Sequence, residues 1–202
     1  VDLTMALREG YSGIVRRIQS QIDSLELSEP EDIKKLNFLK AAKIVFEAGI
    51  KFAYRYRELA EQILVDEKDD VRRKDLEKII EVLKVVPEKP AENLHQAIQS
   101  LWLTHLITQI EASGHSMSLG RVDQYLYSYY ESDLSEKRLT NEAVVELVDC
   151  LFLKLFSINK LRNNSHSRVL AGYPTYQNIT IGGQDADGKD AVNDLSFCFL
   201  CA

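Results

Sequence analysis

Residues 111–130, EASGHSMSLGRVDQYLYSYY, hold the side chains best suited to chemistry. His115 sits beside Ser116, bracketed by Gly114 and Gly120. Arg121, Asp123 and four tyrosines, Tyr125, Tyr127, Tyr129 and Tyr130, follow. A His–Ser pair at a helix end offers a small polar substrate a donor, an acceptor and a titratable group. Flanking glycines let the backbone turn sharply or approach a ligand closely. The competing reading is a loop histidine satisfied by its surroundings, with Arg121 and Asp123 as a structural pair. The residues alone leave both readings open.

Other chemical signatures are weaker. Adjacent Ser and His do not make a hydrolase triad, because neighbours in sequence rarely face one another and no G-x-S-x-G elbow is present. Cys198-Phe-Leu-Cys201 has CxxC spacing, but its intervening residues suit a core helix, and no second pair follows at zinc-ligand spacing. Asp185-Ala-Asp187-Gly188-Lys-Asp190 opens like a calcium loop, yet Ser196 stands where the closing Glu belongs. A tight polar turn is predicted there instead. His95, His105 and His115 are ten apart and fall on different helix faces, so no metal site is predicted.

The elements that must position these groups are mostly helical. Leu3, Leu7, Ile14, Ile18, Ile22 and Leu25 mark an amphipathic segment loosened by Gly10 and Gly13. Ser28-Glu-Pro-Glu-Asp32 predicts a helix start, followed by helix to about Asp66. Leu76, Ile79, Ile80 and Leu83 repeat at i, i+3, i+4, i+7 and stop before Pro87. Ala91 to Ile110 predicts a helix whose second half, LWLTHLITQI, is apolar nearly all round. Thr140-Asn-Glu starts another, and twelve of sixteen residues from Ala143 to Ile158 are apolar, which predicts burial on most sides. Residues 159–178 read as loop. Asn178 to Ile181 reads as one short strand, stopped by Gly182-Gly183.

Composition bounds the class. At 202 residues one domain, or at most two, is expected, and 45% hydrophobic with 28% charged residues is ordinary for a globular chain. The net charge of −6 argues against nucleic acid or anionic membrane as the main partner. Three cysteines in apolar contexts suit a reducing cytoplasm rather than a disulfide framework. The N-terminus has no signal-peptide pattern and does not begin with Met, which suggests a processed or partial product. The charge-free stretch from Asn93 to Ile110 is half Asn, His, Gln, Ser or Thr and does not read as a membrane span.

Three segments together carry a resemblance: VFEAGIKFAYRYRELAEQ at 45–62, AENLHQAIQSLWLTHLITQIEASGHSMSLGRVDQYLYSYY at 91–130 and YQNITIGGQDADGKDAVNDLSF at 176–197. The whole chain resembles the glycyl radical enzymes of the pyruvate formate-lyase family. The resemblance implies a ten-stranded α/β barrel wrapped by helices, of which residues 1–202 form one partial domain, mainly α, with 178–181 as a barrel strand. It also implies a cysteine loop and a C-terminal glycyl radical domain outside these residues. No cysteine here is followed by Val-Glu, and Arg168-Val-Leu-Ala-Gly-Tyr173 has one residue too many for the R-V-x-G-Y radical motif. That segment is read as coincidence.

Within the family, Gly114-His115-Ser116 is similar to the glycerol and propanediol dehydratase branch. The resemblance makes His115 and Ser116 substrate-binding candidates and assigns this chain no catalytic residue, no bound cofactor and no metal. For the full-length parent it implies a glycyl radical installed by a radical-SAM activase, a homodimer and radical dehydration of a small diol. Other family chemistries, namely formate C-acetyltransfer, C–N lysis, arylacetate decarboxylation and hydroxyproline dehydration, remain alternatives. A different class, a non-catalytic helical scaffold that docks through 111–130, also remains.

Overall fold

The computed structural model describes residues 3–111, 117–161, 163–171, 173 and 177–202. They form two compact units, Val1–Ala91 and Glu92–Ala202.

The first unit is built from three helices. α1 (Leu3–Asp23) is broken at Gly10, which has φ 63° and ψ 167°. Only glycine takes this conformation without strain, and a side-chain carbon there would lie 2.6 Å from the Glu88 carbonyl oxygen. The break frees backbone groups that bond elsewhere. Tyr11 N–H donates to Pro87 O at 2.8 Å, Ser12 N–H to Glu88 O at 2.9 Å, and Ala91 N–H to Leu7 O at 3.0 Å. α2 (Pro30–Asp66) opens with a capping box between Glu29 and Asp32 and runs unbroken for 37 residues. That length is about 55 Å at the helical rise. α3 (Asp70–Leu83) is capped by Asp69, whose side chain accepts from Val71 and Arg72 N–H at 2.9 Å each. Tyr11 meets Phe46 edge-on with ring centres 5.1 Å apart, and Ala60 packs with Leu76 and Ile80 beside Leu64.

The second unit centres on α4 (Leu94–Glu111). Its N-terminus is capped from a distance: Leu94 N–H donates to Asp133 Oδ2 at 2.8 Å. The other oxygen of that buried carboxyl takes Arg138 Nε at 2.6 Å. Asp133 lies in the last turn of α6 (Tyr127–Ser135), so a charge suited to a helix N-terminus comes from another helix. α7 (Asn141–Phe156) is capped by Thr140, and it packs on α4 and on α9 (Asp194–Cys201). Leu94, Leu101, Val122, Leu126, Val144, Val148 and Leu195 are fully enclosed apolar side chains of this core.

Three expectations change here. The strand near 178–181 is shorter, Ile179–Thr180 (β2), and it has a partner: Gly120–Arg121 (β1), paired in parallel with Gly120 opposite Ile179. A glycine and an arginine carry no strand signal, so only the tertiary pairing creates β1. The 159–178 stretch is not all loop, because Asn163 accepts from His166 N–H and caps α8 (Asn164–Leu170). Finally, α7 buries one face only. Val144, Val148, Leu151 and Leu155 are enclosed, while Leu153 and Phe156 are exposed, because burial follows the face met by α4 and α9. Among the described residues the sheet has two strands. The helix-rich, parallel-strand character agrees with the expected mainly α fragment of an α/β fold.

Candidate functional site

His115 and Ser116 lie outside the described residues. What the structure describes is the framework on both sides of them in the chain.

On the far side stands a corner made by β1 and α5 (Val122–Tyr125). Ser118 Oγ accepts from Asn178 N–H at 3.3 Å, and Leu119 N–H donates to Asn178 O at 3.2 Å, so the pairing begins just before β1 and β2. Arg121 then donates through Nη2 to Gly182 O at 2.6 Å and through Nη1 to Gln184 O at 2.8 Å. Asp123 is wholly enclosed; its Oδ2 accepts from Gly182 N–H at 2.6 Å and from Ser196 Oγ at 2.5 Å. Asn193, the N-cap of α9, donates to the Asp123 carbonyl at 3.2 Å. Gln124 Nε2 reaches Ala191 O at 2.7 Å. Arg121, Asp123 and Gln124 thus grip the chain that leaves β2.

Arg121 and Asp123 therefore do not pair with each other. Each holds the Gly182-Gly183 turn from its own side. Both glycines have positive φ, 62° and 86°, which lets the carbonyl and the N–H of Gly182 face the two side chains. Both side chains act here as structural clamps. The QDADGKD turn is closed by Asp185, whose Oδ1 accepts from Asp187 and Lys189 N–H at 2.9 Å each, as the polar-turn reading expects. Burial, and then the nearby Asp123 carboxyl, pushes the Tyr125 phenol well above its ordinary range. Its hydroxyl donates to Leu119 O at 3.0 Å.

On the near side lies a polar cluster that sequence reading passed over. His105 and Gln109 are one turn apart on α4 and almost wholly enclosed. His105 Nε2 lies 2.7 Å from Gln177 Oε1 and 3.0 Å from Gln109 Nε2. Gln177 Nε2 donates to Leu155 O at 3.2 Å, which orients the amide with its oxygen toward His105. The imidazole therefore carries its proton on Nε2 and donates it to Gln177, so Gln109 Nε2, itself a donor, makes no bond to the ring and donates to Gln177 Oε1 at 3.3 Å. Burial lowers the His105 pKa, and the bond to Gln177 offsets only part of that, so the neutral ring is favoured. Lys160 Nζ bonds the Gln109 carbonyl, a cation on the exposed end of α4. The available signal was a His and a Gln spaced i, i+4 inside an apolar run; their partner lies far off in sequence.

Tyr130 makes a third polar point, donating to Asn141 Oδ1 at 2.9 Å. Burial and the neighbouring Cys198 thiol push its phenol up to about 12. Burial likewise raises the Cys198 thiol, so it is no thiolate nucleophile at neutral pH. Cys201 is exposed. None of the three cysteines precedes Val-Glu, and Arg168 to Leu170 lie in the α8 helix, so these residues do not fit the cysteine loop or the radical glycine motif. Among the described residues no cluster of His, Cys, Asp and Glu suits a metal, and no helix is long and apolar enough to cross a membrane.

Comparison with known proteins gives consistent matches. The family model described as pyruvate formate lyase-like matches residues 1–202. A probable dehydratase, YbiW of Escherichia coli K12, is 38% identical over 99% of this chain and 25% of its own length. The isethionate sulfite-lyase of Nitratidesulfovibrio vulgaris Hildenborough is 34% identical over 98% of this chain and 24% of its own length. A solved structure concerned with 1,2-propanediol dehydration in Roseburia inulinivorans superimposes with a TM-score of 0.92 at 40% identity, covering 99% of this chain and 24% of that one. The chain spans about a quarter of the length of the curated relatives it matches.

Proposed function

Because this chain belongs to the pyruvate formate lyase-like family, we propose that it is part of a glycyl radical enzyme that dehydrates a small diol such as 1,2-propanediol or glycerol. One observation carries the reading: the propanediol-dehydration structure matches at 40% identity over 99% of this chain.

The part assigned to this chain is binding and orientation. His115 and Ser116 hold the substrate hydroxyls, and His115 offers a proton to the departing hydroxyl. The α4 terminus and the β1 corner set where that segment begins and ends. The radical that opens the substrate C–H bond is carried by the rest of the parent protein. In this reading the parent is a cytoplasmic homodimer whose glycyl radical is installed by a radical-SAM activase, and residues 1–202 are one partial domain of its barrel.

The test uses the full-length parent. Glycyl radical content is measured by electron paramagnetic resonance beside turnover of 1,2-propanediol and glycerol. Ser116→Ala removes one neutral hydrogen bond and should lower kcat/KM roughly 2- to 13-fold, equivalent to about 0.5–1.5 kcal/mol. His115→Ala also removes a proton donor and should cost about 10²–10⁴-fold. Both variants should carry the radical normally. Normal radical with unchanged turnover in both would remove the pair from the active site. Turnover of isethionate or trans-4-hydroxyproline with none of either diol would move the parent to another branch.

A further inference from the structure

We propose that His105 is a positioning residue: its Nε2–H holds Gln177 against α4 and so fixes, as one piece, the chain's exit from α4 and its entry into β2. The inference rests on the reading above for its link to turnover, because the segment with His115 and Ser116 runs between α4 and β1, and β1 pairs with β2.

Three observations carry it. The cluster joins four separate stretches by hydrogen bonds: His105 and Gln109 on α4, Leu155 at the end of α7, Lys160 beyond α7, and Gln177 two residues before β2. It is buried and polar where apolar groups would serve stability better. A phenylalanine at 105 would fill the space with no polar desolvation, whereas a buried imidazole and amide each cost free energy unless bonded. The cluster is also not fully satisfied. Gln109 Oε1 is enclosed with no hydrogen-bond partner among the described residues. A network that costs stability yet joins four segments is suited to specifying one geometry, which an apolar contact does poorly.

The bond is directional. Gln177 has its amide oriented by Leu155 O, so it presents an acceptor at one place only. His105 meets it at 2.7 Å as the neutral ring that burial favours. Moving Gln177 along the chain by one residue would break this bond and would turn β2 over against β1. His105 thus checks the register of the parallel pair from outside the sheet.

The experiment uses the full-length, activated parent with His105→Phe, Gln177→Leu, the double variant and His105→Gln. Amide hydrogen exchange is followed in peptides covering 106–111 and 177–182, without substrate. Turnover is expressed per glycyl radical. Loss of the bond should speed exchange in both peptides together. In the two single variants kcat should fall roughly 10- to 100-fold, the scale of a misplaced constellation, with KM within about threefold. The double variant should be no worse than either single, since one bond is lost in all three. His105→Gln keeps an N–H donor and should recover most of both signals. Unchanged exchange in soluble His105→Phe and Gln177→Leu overturns the inference, and so does faster exchange in only one of the two peptides. If the Phe variant fails to fold, the half-buried Gln177→Leu decides alone. The exchange arm needs no substrate. A failed diol reading therefore shows separately, as wild-type protein that carries the radical and turns over no diol while the exchange changes persist.

Discussion

The two units solve burial in opposite ways. Among the described residues every enclosed polar side chain outside tyrosine and cysteine lies in the second unit: Gln96, Ser100, Thr104, His105, Gln109, Asp123, Asp133 and Ser196. The first unit encloses Leu3, Leu7, Ile14, Leu39, Ala53, Ala60, Leu76 and Ile80, and none of its described charged residues is fully enclosed. Hydrophobic contact is non-directional, so a purely apolar core tolerates small shifts of helix on helix. Hydrogen bonds in a closed interior do not, because a displaced donor loses its partner and cannot turn to water. The second unit is therefore the one built to hold positions, and it is the one that contains His115 and Ser116.

Substitutions can break or sharpen that contrast. The largest stability effect belongs to the first unit. Gly10→Ala would place a side chain against the backbone of Glu88 and Lys89 at a φ that only glycine adopts freely. Strain and overlap together should cost about 2–6 kcal/mol. Denaturant unfolding of the parent measures the loss, and turnover per radical in the protein that remains folded should match wild type. A drop in turnover per radical would mean that the first unit also sets site geometry.

Next comes Asp123→Ala in the second unit. It strips the partner from Gly182 N–H and from Ser196 Oγ in a dry interior, at about 2–4 kcal/mol. Here stability and turnover per radical should fall together, measured by the same unfolding and resonance assays. Asp123→Asn should restore most of both, since an amide oxygen can take the two bonds. Equal turnover in all three proteins would erase the distinction between the units. The smallest effect is Asp69→Ala, which removes the cap from α3. About 0.5–2 kcal/mol of stability should go, again with turnover per radical untouched.

What could be read from the sequence follows the same division. Local signals predicted the first unit well: Pro30 with Glu31 and Asp32 opened α2, and the Leu76–Leu83 repeat marked α3. The polar turn at 185–190 was equally legible, because an Asp side chain closes it within four residues. The second unit hid what depends on distant partners. β1 exists because Ile179 and Thr180 pair with it, not because Gly120 and Arg121 favour a strand. The α7 pattern reported how apolar the helix is but not which face would be covered. Arg121 and Asp123 were read as a possible pair because they are neighbours in sequence, yet both bond to Gly182, some sixty residues on. The pairing of His105 with Gln177 was out of reach for the same reason.

The parallel pairing of Gly120 with Ile179 also orders events in time. Closing a loop of that span costs roughly 3–4 kcal/mol of chain entropy, beyond what two short strands return alone. On a ribosome, α1 to α3 can associate as soon as residue 91 has emerged. β1 has no partner until residue 180 has emerged too, and the Arg121 and Asp123 contacts must wait with it. The part with the more demanding geometry is thus set after the first unit. During that interval a chaperone or a nearby nascent chain would find an unsatisfied strand edge, not a finished site.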